Sequence, residues 1–277
     1  MGAENKMKIL LIGDIVGSPG RTAMARVATR WKATGKADAV VANAENAAAG
    51  RGITGALAEE LLAGGADVLT LGDHAWDQKD SLSYIDRAER VVRALNFPPG
   101  CPGRGEATVE VPGGTLTVLQ LIGRTFMNPT ADCPFRCIDA WLKRCGGCGP
   151  GRAVVVDFHA EATSEKIAMG HFLDGRITAL VGTHTHVQTA DEAVWKGGMA
   201  YLTDLGMTGP CDGVIGREAA PIVRRFMTGL PAKFDVSSGD VRLHGAGVTV
   251  DMKTGRATAI RRVEERWPQA VAAEDGR

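Results

Sequence analysis

Five short apolar runs constrain the fold of this chain more than any other feature, because polar residues of metal-binding type follow each of them. The runs are rich in Val, Ile, Leu and Ala and occupy residues 7–12, 39–42, 68–71, 153–156 and 177–181. Short runs of this kind, followed by helical patterns, are typical of buried parallel strands joined by crossover helices. The sequence therefore predicts an α/β fold.

The side chains that follow these runs are carboxylates, amides and imidazoles. In open α/β sheets such residues gather at the carboxyl ends of the strands, so we expect eight of them to converge. They are Asp14, Glu45, Asn46, Asp73, His74, His159, His184 and His186. Each residue alone has another explanation, such as a helix N-cap, a turn or a core histidine. Their recurrence after five separate runs favours one shared site.

The expected cluster offers oxygen and nitrogen donors without thiolate. Such donors suit iron, manganese, magnesium or zinc in a catalytic site rather than a structural one. Eight donors are too many for one ion, whereas two ions bridged by a carboxylate and a water would use them. Pairs of this kind stabilise both the attacking and the leaving oxygen during phosphoryl displacement.

Six segments make the sequence similar to a known family, the YmdB-like branch of the calcineurin-type metallophosphoesterases. They are residues 13–17 (GDIVG), 44–47 (AENA), 74–77 (HAWD), 157–166 (DFHAEATSEK), 182–191 (GTHTHVQTAD) and 204–210 (DLGMTGP). The similarity extends from Met7 to about Glu264, and runs of this length are specific. It implies a four-layer α/β/β/α sandwich of two packed mixed sheets flanked by helices, and the length and composition agree with one domain over residues 1–277.

The resemblance also implies how the cluster divides between two metal ions. One ion is expected to bind Asp14, Glu45, Asn46 and His186, and the other Glu45, Asp73, His159 and His184. Iron is the expected metal, with manganese or zinc as alternatives that accept the same ligands. His74 is expected to stay unbound and to act as the general acid that protonates the leaving alkoxide. The alternative, in which His74 is a further metal ligand, stays open.

Three positions depart from the wider superfamily, two of them in ways typical of the branch. Val16 stands where the first motif has a histidine, and Glu45 with Asn46 replaces a bridging aspartate. The longer carboxylate can bridge, and the adjacent amide supplies the donor that Val16 lacks. The third departure is specific to this chain, because Asp73 precedes His74 where asparagine is expected. Its negative charge could tighten metal binding and weaken the attraction for a phosphate.

Composition limits the remaining possibilities. The 277 residues, 44% of them hydrophobic, can bury a sizeable core, and no Pro/Ser-rich linker divides them. The 32 basic and 32 acidic side chains give no basic footprint for a long nucleic-acid track.

Residues 1–8 are polar, and no apolar run approaches about 18 residues, which predicts a cytoplasmic protein without a membrane span. Residues 1–6 and 270–277 are predicted to be tails, and residues from about 7 to 264 are predicted to form the folded core. The sequence is compatible with a homo-oligomer.

Three local patterns carry further predictions. Residues 242–250 and 257–263 flank a turn-rich segment and predict a β-hairpin, which we expect in the second sheet. The spacing of four cysteines leaves a structural zinc site open beside the favoured interpretation, which is reduced thiols; they are Cys133, Cys137, Cys145 and Cys148. Two interpretations of Lys166 are compatible with the sequence: it assists substrate binding, or it forms a surface ion pair.

The sequence therefore predicts a dinuclear metal-dependent phosphodiesterase whose substrate, by resemblance, is a small phosphodiester such as a 2′,3′-cyclic nucleotide. Two alternatives remain. The same site would serve a phosphomonoesterase or a phosphoprotein phosphatase, since the metal cluster alone does not choose between esters. A non-catalytic regulatory protein that binds metals is the other alternative, and the extra charge of Asp73 keeps it open.

Overall fold

The computed structural model describes residues 6–267. The helices in this range are α1 (Gly17–Ala33), α2 (Gly55–Ala63), α3 (Ser81–Ile85), α4 (Pro134–Cys145), α5 (Thr163–Leu173) and α6 (Ala219–Thr228). The strands are β1 (Lys6–Ile12), β2 (Asp14–Ile15), β3 (Ala39–Asn43), β4 (Val68–Thr70), β5 (Val91–Val92), β6 (Glu106–Val111), β7 (Gly114–Ile122), β8 (Arg152–His159), β9 (Ala179–Thr183), β10 (Ala193–Val194), β11 (Ala200–Leu202), β12 (Met207–Pro210), β13 (Val241–Asp251) and β14 (Arg256–Trp267). None of the helices in this range has the length and apolarity needed to cross a bilayer.

The strands form two sheets. In the first, the order is β2-β12-β13-β1-β3-β4-β5, and β14 pairs with β13. Strands β1, β3, β4 and β5 are parallel, whereas β13 is antiparallel to β1. In the second, the order is β10-β11-β9-β8-β7-β6, with a parallel centre and an antiparallel strand at each edge. Both sheets are therefore mixed.

Strand β1 shows why the central runs are apolar without alternation. Met7, Ile9 and Leu11 face the core between the two sheets, while Leu10 and Ile12 face the core under the helices of the first sheet. Because side chains alternate across a strand, both faces of β1 are buried and apolar from Ile9 to Ile12, whereas Lys6 and Lys8 at its start are exposed. Burying each Leu or Ile side chain contributes roughly 1.5–3 kcal/mol.

Helices cover the outer face of each sheet. Met24 of α1 and Leu61 of α2 pack on the first sheet, and Trp141 of α4 and Met169 of α5 pack on the second. The order of layers is therefore helix, sheet, sheet, helix. The predicted four-layer α/β/β/α sandwich is confirmed.

The C-terminal hairpin corrects one prediction. Its two strands, β13 and β14, form as expected, with Val241 opposite Trp267. However, β13 pairs with β1 from Lys6–Asp251 to Ile12–Gly245, so the hairpin extends the first sheet and not the second. The alternating pattern predicts a strand with one buried face, but it does not specify the strand with which the backbone pairs.

The predicted tails are corrected at one position. Lys6 opens β1 and is paired with Asp251, so the ordered core begins one residue earlier than expected. Its far end reaches Trp267 in β14. The rest of the two predicted tails lies outside the described residues.

Buried hydrogen bonds join the carboxyl ends of strands from the two sheets. The Asn43 amide at the end of β3 donates to Asp157 Oδ2 in β8 (3.0 Å), and the Thr70 hydroxyl at the end of β4 donates to the same oxygen (2.5 Å). The ends of β3, β4 and β8 therefore meet at one place. The ligand-type residues that follow these strands are brought together there.

Candidate metal centre

The candidate ligands come from the ends of five strands. Asp14 follows β1 after a single glycine, Glu45 follows β3, and Asp73 follows β4. His159 is the last residue of β8, and His184 directly follows β9. The first three belong to the first sheet and the last two to the second. The expected convergence therefore occurs across two packed sheets and not along one open sheet.

Two groups of side chains have the geometry of metal sites, and they share one carboxylate. The potential ligand atoms of each group lie within 4.8 Å of one another. The first group is Glu45, Asp73, His159 and His184; the second is Asp14, Glu45 and His186. A carboxylate common to both groups is the arrangement required to bridge two ions.

Distances within the first group are short. His159 Nε2 lies 3.3 Å from Glu45 Oε1, 3.1 Å from Asp73 Oδ1 and 3.1 Å from His184 Nδ1. One nitrogen therefore faces two carboxylates and a second imidazole nitrogen. Four donors of this kind converging on a small space suit a metal cation.

A buried carboxylate oxygen in the second group supports metal binding independently. Asp14 is fully buried and its Oδ1 has no hydrogen-bond partner among the described residues, while Oδ2 accepts a hydrogen bond from the His184 backbone N–H (3.2 Å). Burial, with the nearby Glu45 and other acidic groups adding to it, raises the pKa of Asp14 well above its usual value. An unpaired buried charge is costly, and a bound cation would offset that cost.

The charges of the first group follow from mutual contacts. Burial alone would raise the pKa of Glu45, but the nearby His159 lowers it overall. Burial likewise acts against ionisation of Asp73, yet hydrogen bonds to His159 and His184 hold its pKa well below the usual range. Burial would lower the pKa of His159, but the adjacent Glu45 and Asp73 raise it. The lowered pKa values of the two carboxyl groups favour their ionised forms, and ionised carboxylates favour the binding of a cation.

Gly72 leaves the space that the cluster occupies. A Cβ atom at this position would lie 2.0 Å from Glu45 Oε2 and 2.5 Å from His159 Nε2. Real Cβ atoms essentially never approach other heavy atoms within 3.0 Å. Only glycine therefore allows the end of β4 to approach the shared carboxylate this closely.

Asn46 lies beside the second group. Its Nδ2 lies 3.0 Å from Glu45 Oε1 and 3.3 Å from His186 Nε2. A half-turn of the amide exchanges Nδ2 and Oδ1, and it would present the oxygen to a cation beside these ligands. The donors of both groups therefore suit two metal ions.

His74 lies beside the cluster without belonging to either group. Its Nε2 is 4.0 Å from Asp73 Oδ2, and its backbone N–H donates to Glu45 Oε2 (3.2 Å). Its Nδ1 is 2.8 Å from Asp77 Oδ2, and Arg51 also contacts this carboxylate. Asp77 thereby orients the ring.

A cleft of about 410 Å³ opens onto the cluster, and Glu45, His74 and His186 are among the residues that line it. The ring of His74 is 31% exposed there. An ionisable side chain placed beside the metal-type ligands, but held by a separate carboxylate, can exchange a proton with a molecule in the cleft.

Comparison with known proteins identifies the family. Residues 10–263 match the family model described as YmdB-like protein. The chain belongs to the YmdB-like family. A 2′,3′-cyclic-nucleotide 2′-phosphodiesterase of Bacillus subtilis (strain 168) is 44% identical to it over 257 residues, which are 93% of this chain and 96% of the relative.

Solved structures agree with this assignment. A phosphatase of Mycoplasma pneumoniae superposes with a TM-score of 0.89 at 32% identity, covering 95% of this chain and 94% of the other. A hypothetical protein of Thermus thermophilus superposes with a TM-score of 0.87 at 40% identity, covering 95% of this chain and 100% of the other. The YmdB-like resemblance inferred from the sequence motifs is therefore confirmed.

In this YmdB-like chain, a buried network fixes His159, and the sequence interpretation missed it. The His159 Nδ1 lies 2.9 Å from Thr183 Oγ1, and the Thr183 hydroxyl donates to Asp157 Oδ1 (2.6 Å). With Nδ1 engaged in this way, Nε2 faces the cluster. Asp157 is buried and is held by Asn43 and Thr70 as well. An acidic residue within an otherwise apolar strand was the available signal.

Lys166 corrects another expectation, because it is neither at the surface nor in the cleft. It is 1% exposed, and its Nζ donates to Asp204 Oδ2 (2.7 Å) and to the Thr183 carbonyl (2.8 Å). Asp204 also accepts hydrogen bonds from the backbone and hydroxyl of Thr185, which lies between the two histidines of the loop. This buried pair thus positions the YmdB-like His-x-His segment.

The backbone of the His-x-His loop is strained, and residues outside the loop contact both of its histidine rings. His184 and His186 both have positive φ, at 97° and 65°, which is unusual for residues other than glycine. Glu161 Oε2 lies 3.1 Å from His184 Nε2, and the Ile215 carbonyl oxygen lies 3.3 Å from His186 Nδ1. These contacts leave His184 Nδ1 and His186 Nε2 facing the two groups of ligands.

The cysteines take no part in a metal-type cluster. Among residues 6–267, the two groups that contain Glu45 are those with suitable geometry, and neither contains cysteine. Cys137, Cys145 and Cys148 instead pack against the hydrophobic core on the outer face of the second sheet. Among the described residues, these thiols are therefore not brought together as zinc ligands.

Proposed function

We propose that this chain is a dinuclear metal-dependent phosphodiesterase that hydrolyses small phosphodiesters such as 2′,3′-cyclic nucleotides. One observation carries the proposal: two ligand groups share Glu45 at a cleft where His74 remains outside both groups. The name of the Bacillus subtilis relative supports the choice of substrate.

The ligand assignment is part of the proposal. One ion would be held by Asp14, Glu45, Asn46 and His186, and the other by Glu45, Asp73, His159 and His184. The mixture of carboxylate and imidazole donors accepts iron, manganese and zinc alike, and we propose iron first. When bound, the two ions would activate the attacking water and neutralise charge on the phosphate oxygens.

His74 is proposed as the general acid. Its Nδ1 faces Asp77 Oδ2 at 2.8 Å, so Nε2 is the nitrogen free to carry a proton into the cleft. Transfer of this proton to the leaving oxygen prevents the build-up of an alkoxide, which typically accelerates such reactions by about 10²–10⁴-fold. The contact between Arg51 and Asp77 restrains the carboxylate that orients the ring.

The size and charge of the site favour a small substrate. A cleft of about 410 Å³ is within the range typical of small-molecule sites. The formal net charge of the chain is zero, so no general attraction for a polyanion is expected. We also propose one catalytic domain spanning residues 1–277 and a cytoplasmic location, which fractionation of cells would test.

A substrate panel tests the proposal. The protein is reconstituted with iron, manganese or zinc and assayed on 2′,3′-cyclic nucleotides, p-nitrophenyl phosphate and a phosphoserine peptide. Preferential turnover of the cyclic nucleotides supports the phosphodiesterase. Preferential turnover of the monoesters would instead support a phosphatase, and a full metal complement without turnover of any ester would support a regulatory protein.

A further inference from the structure

A strained turn contributes Ile215 and Arg217 to the lining of the cleft. The Val214 N–H donates to the Arg217 carbonyl (2.8 Å), and the Arg217 N–H donates to the Val214 carbonyl (3.0 Å). The two residues between them, Ile215 and Gly216, have φ of 45° and 88°. Two successive positive φ values define a type I′ turn, which favours Asn, Asp or Gly at its first central position. A β-branched residue there is an outlier that reduces stability.

Packing does not offset this strain. The Ile215 side chain is 50% exposed and belongs to none of the hydrophobic clusters. The turn itself is held in place by other groups. The Arg217 guanidinium donates to the carbonyls of Ala49 (2.8 Å) and Phe234 (3.1 Å). Gly216 packs closely against Val16, since a Cβ on Gly216 would lie 2.7 Å from Val16 Cγ1.

The backbone of Ile215 has a role that any residue could fill, because its carbonyl oxygen meets His186 Nδ1. The contact with His186 therefore does not explain why position 215 carries an isoleucine side chain. Among the described residues that line the cleft, Ile215 is the only one with an apolar side chain, and half of its surface is exposed. The exposed side chain lies beside a polar, metal-type cluster, and it is present despite the backbone strain at this position. This combination points to contact with an apolar group of the ligand.

We propose that Ile215 is a specificity-determining residue whose side chain packs against the nucleobase of a nucleoside phosphodiester; this inference rests on the function proposed above. The phosphate of such a substrate lies against the ligand cluster, so its nucleoside must occupy the remainder of the cleft. The face of a nucleobase is flat and weakly polar, and it gains free energy when it covers an aliphatic side chain. Burying the exposed half of an isoleucine strengthens binding by about fivefold.

The variant Ile215→Asn separates this role from a structural one. Asparagine suits the turn, so the melting temperature should rise by about 2 °C. Metal content should be unchanged, because the carbonyl that faces His186 is retained. The ratio of kcat/KM for 2′,3′-cyclic AMP to that for glycerol 1,2-cyclic phosphate, which has no base, should fall by about fivefold.

Val223→Asn is a matched control, because Val223 is also 50% exposed but lies on α6 and does not line the cleft. It should leave the ratio of the two substrates unchanged. An unchanged ratio in Ile215→Asn would overturn the proposal. So would a lower melting temperature, which would show that the isoleucine stabilises the fold by packing.

A binding measurement keeps this test separate from the proposed function. If the metal-loaded wild-type protein hydrolyses neither cyclic phosphate, the phosphodiesterase proposal fails. Calorimetric titration with adenosine 3′-monophosphate then decides about Ile215 alone. Binding weakened about fivefold in Ile215→Asn supports the contact with the base, and equal binding of the two proteins overturns it.

Discussion

The substitution Gly72→Ala should disable the metal centre while leaving the fold intact. The added Cβ would lie 2.0 Å from Glu45 Oε2 and 2.5 Å from His159 Nε2, so the strand end and the shared carboxylate must separate by about 1 Å to reach even a 3.0 Å contact. Both ligand groups contain Glu45, so neither site escapes the displacement. Misplacement of about 1 Å in an active site can cost about 10²-fold in rate.

Metal analysis, circular dichroism and steady-state kinetics on one preparation check this expectation. We expect less metal bound per chain and kcat/KM on cyclic nucleotides lowered by about 10²-fold, with an unchanged far-ultraviolet spectrum. Gly149→Ala is the matched control, because no atom lies within 4 Å of its added Cβ. Normal metal content and activity in Gly72→Ala would refute the claim that the cluster depends on this close approach.

Three substitutions in the site test individual roles. His74→Ala should keep its metal content but lose about 10²–10⁴-fold in turnover; loss of one metal equivalent would show instead that His74 is a ligand. Glu45→Gln should lower metal occupancy, most for the second ion, because the amide leaves the repulsion between two cations uncompensated; two tightly held ions would contradict the bridge. Asp73→Asn should raise kcat/KM on small phosphodiesters and modestly weaken metal binding, because less ligand charge leaves the ions more positive; loss of both metal and activity would show that the charge argument fails. Metal titration and steady-state kinetics measure all three.

The sequence predicts the layers of the fold because the signals for them are local. Within the runs 7–12 and 177–181, residues 9–12 and 179–181 are apolar on both faces, as central strands must be, and the polar residues after them mark the carboxyl ends. The expected convergence required only that these ends meet. His159, at the end of β8, and Glu45, after β3, therefore meet although they belong to different sheets.

Features that depend on distant partners escaped prediction. The sheet to which β13 belongs depends on backbone pairing with β1, which leaves no trace in the side-chain pattern. Lys166 resembles a surface lysine until Asp204, which lies 38 positions later in the chain, provides a buried partner. The strain at Ile215 requires a knowledge of φ, although isoleucine before glycine between Val214 and Arg217 is compatible with several types of turn.

We propose that two metal ions sharing Glu45 carry out phosphodiester hydrolysis, and a metal titration distinguishes this mechanism from its alternatives. Metal-free protein is titrated with iron, manganese or zinc, and bound metal per chain and turnover of 2′,3′-cyclic AMP are measured on the same samples. Binding should saturate at two ions per chain, and turnover should appear mainly as the second ion binds. Full activity with one ion, or two bound ions without turnover, would contradict it.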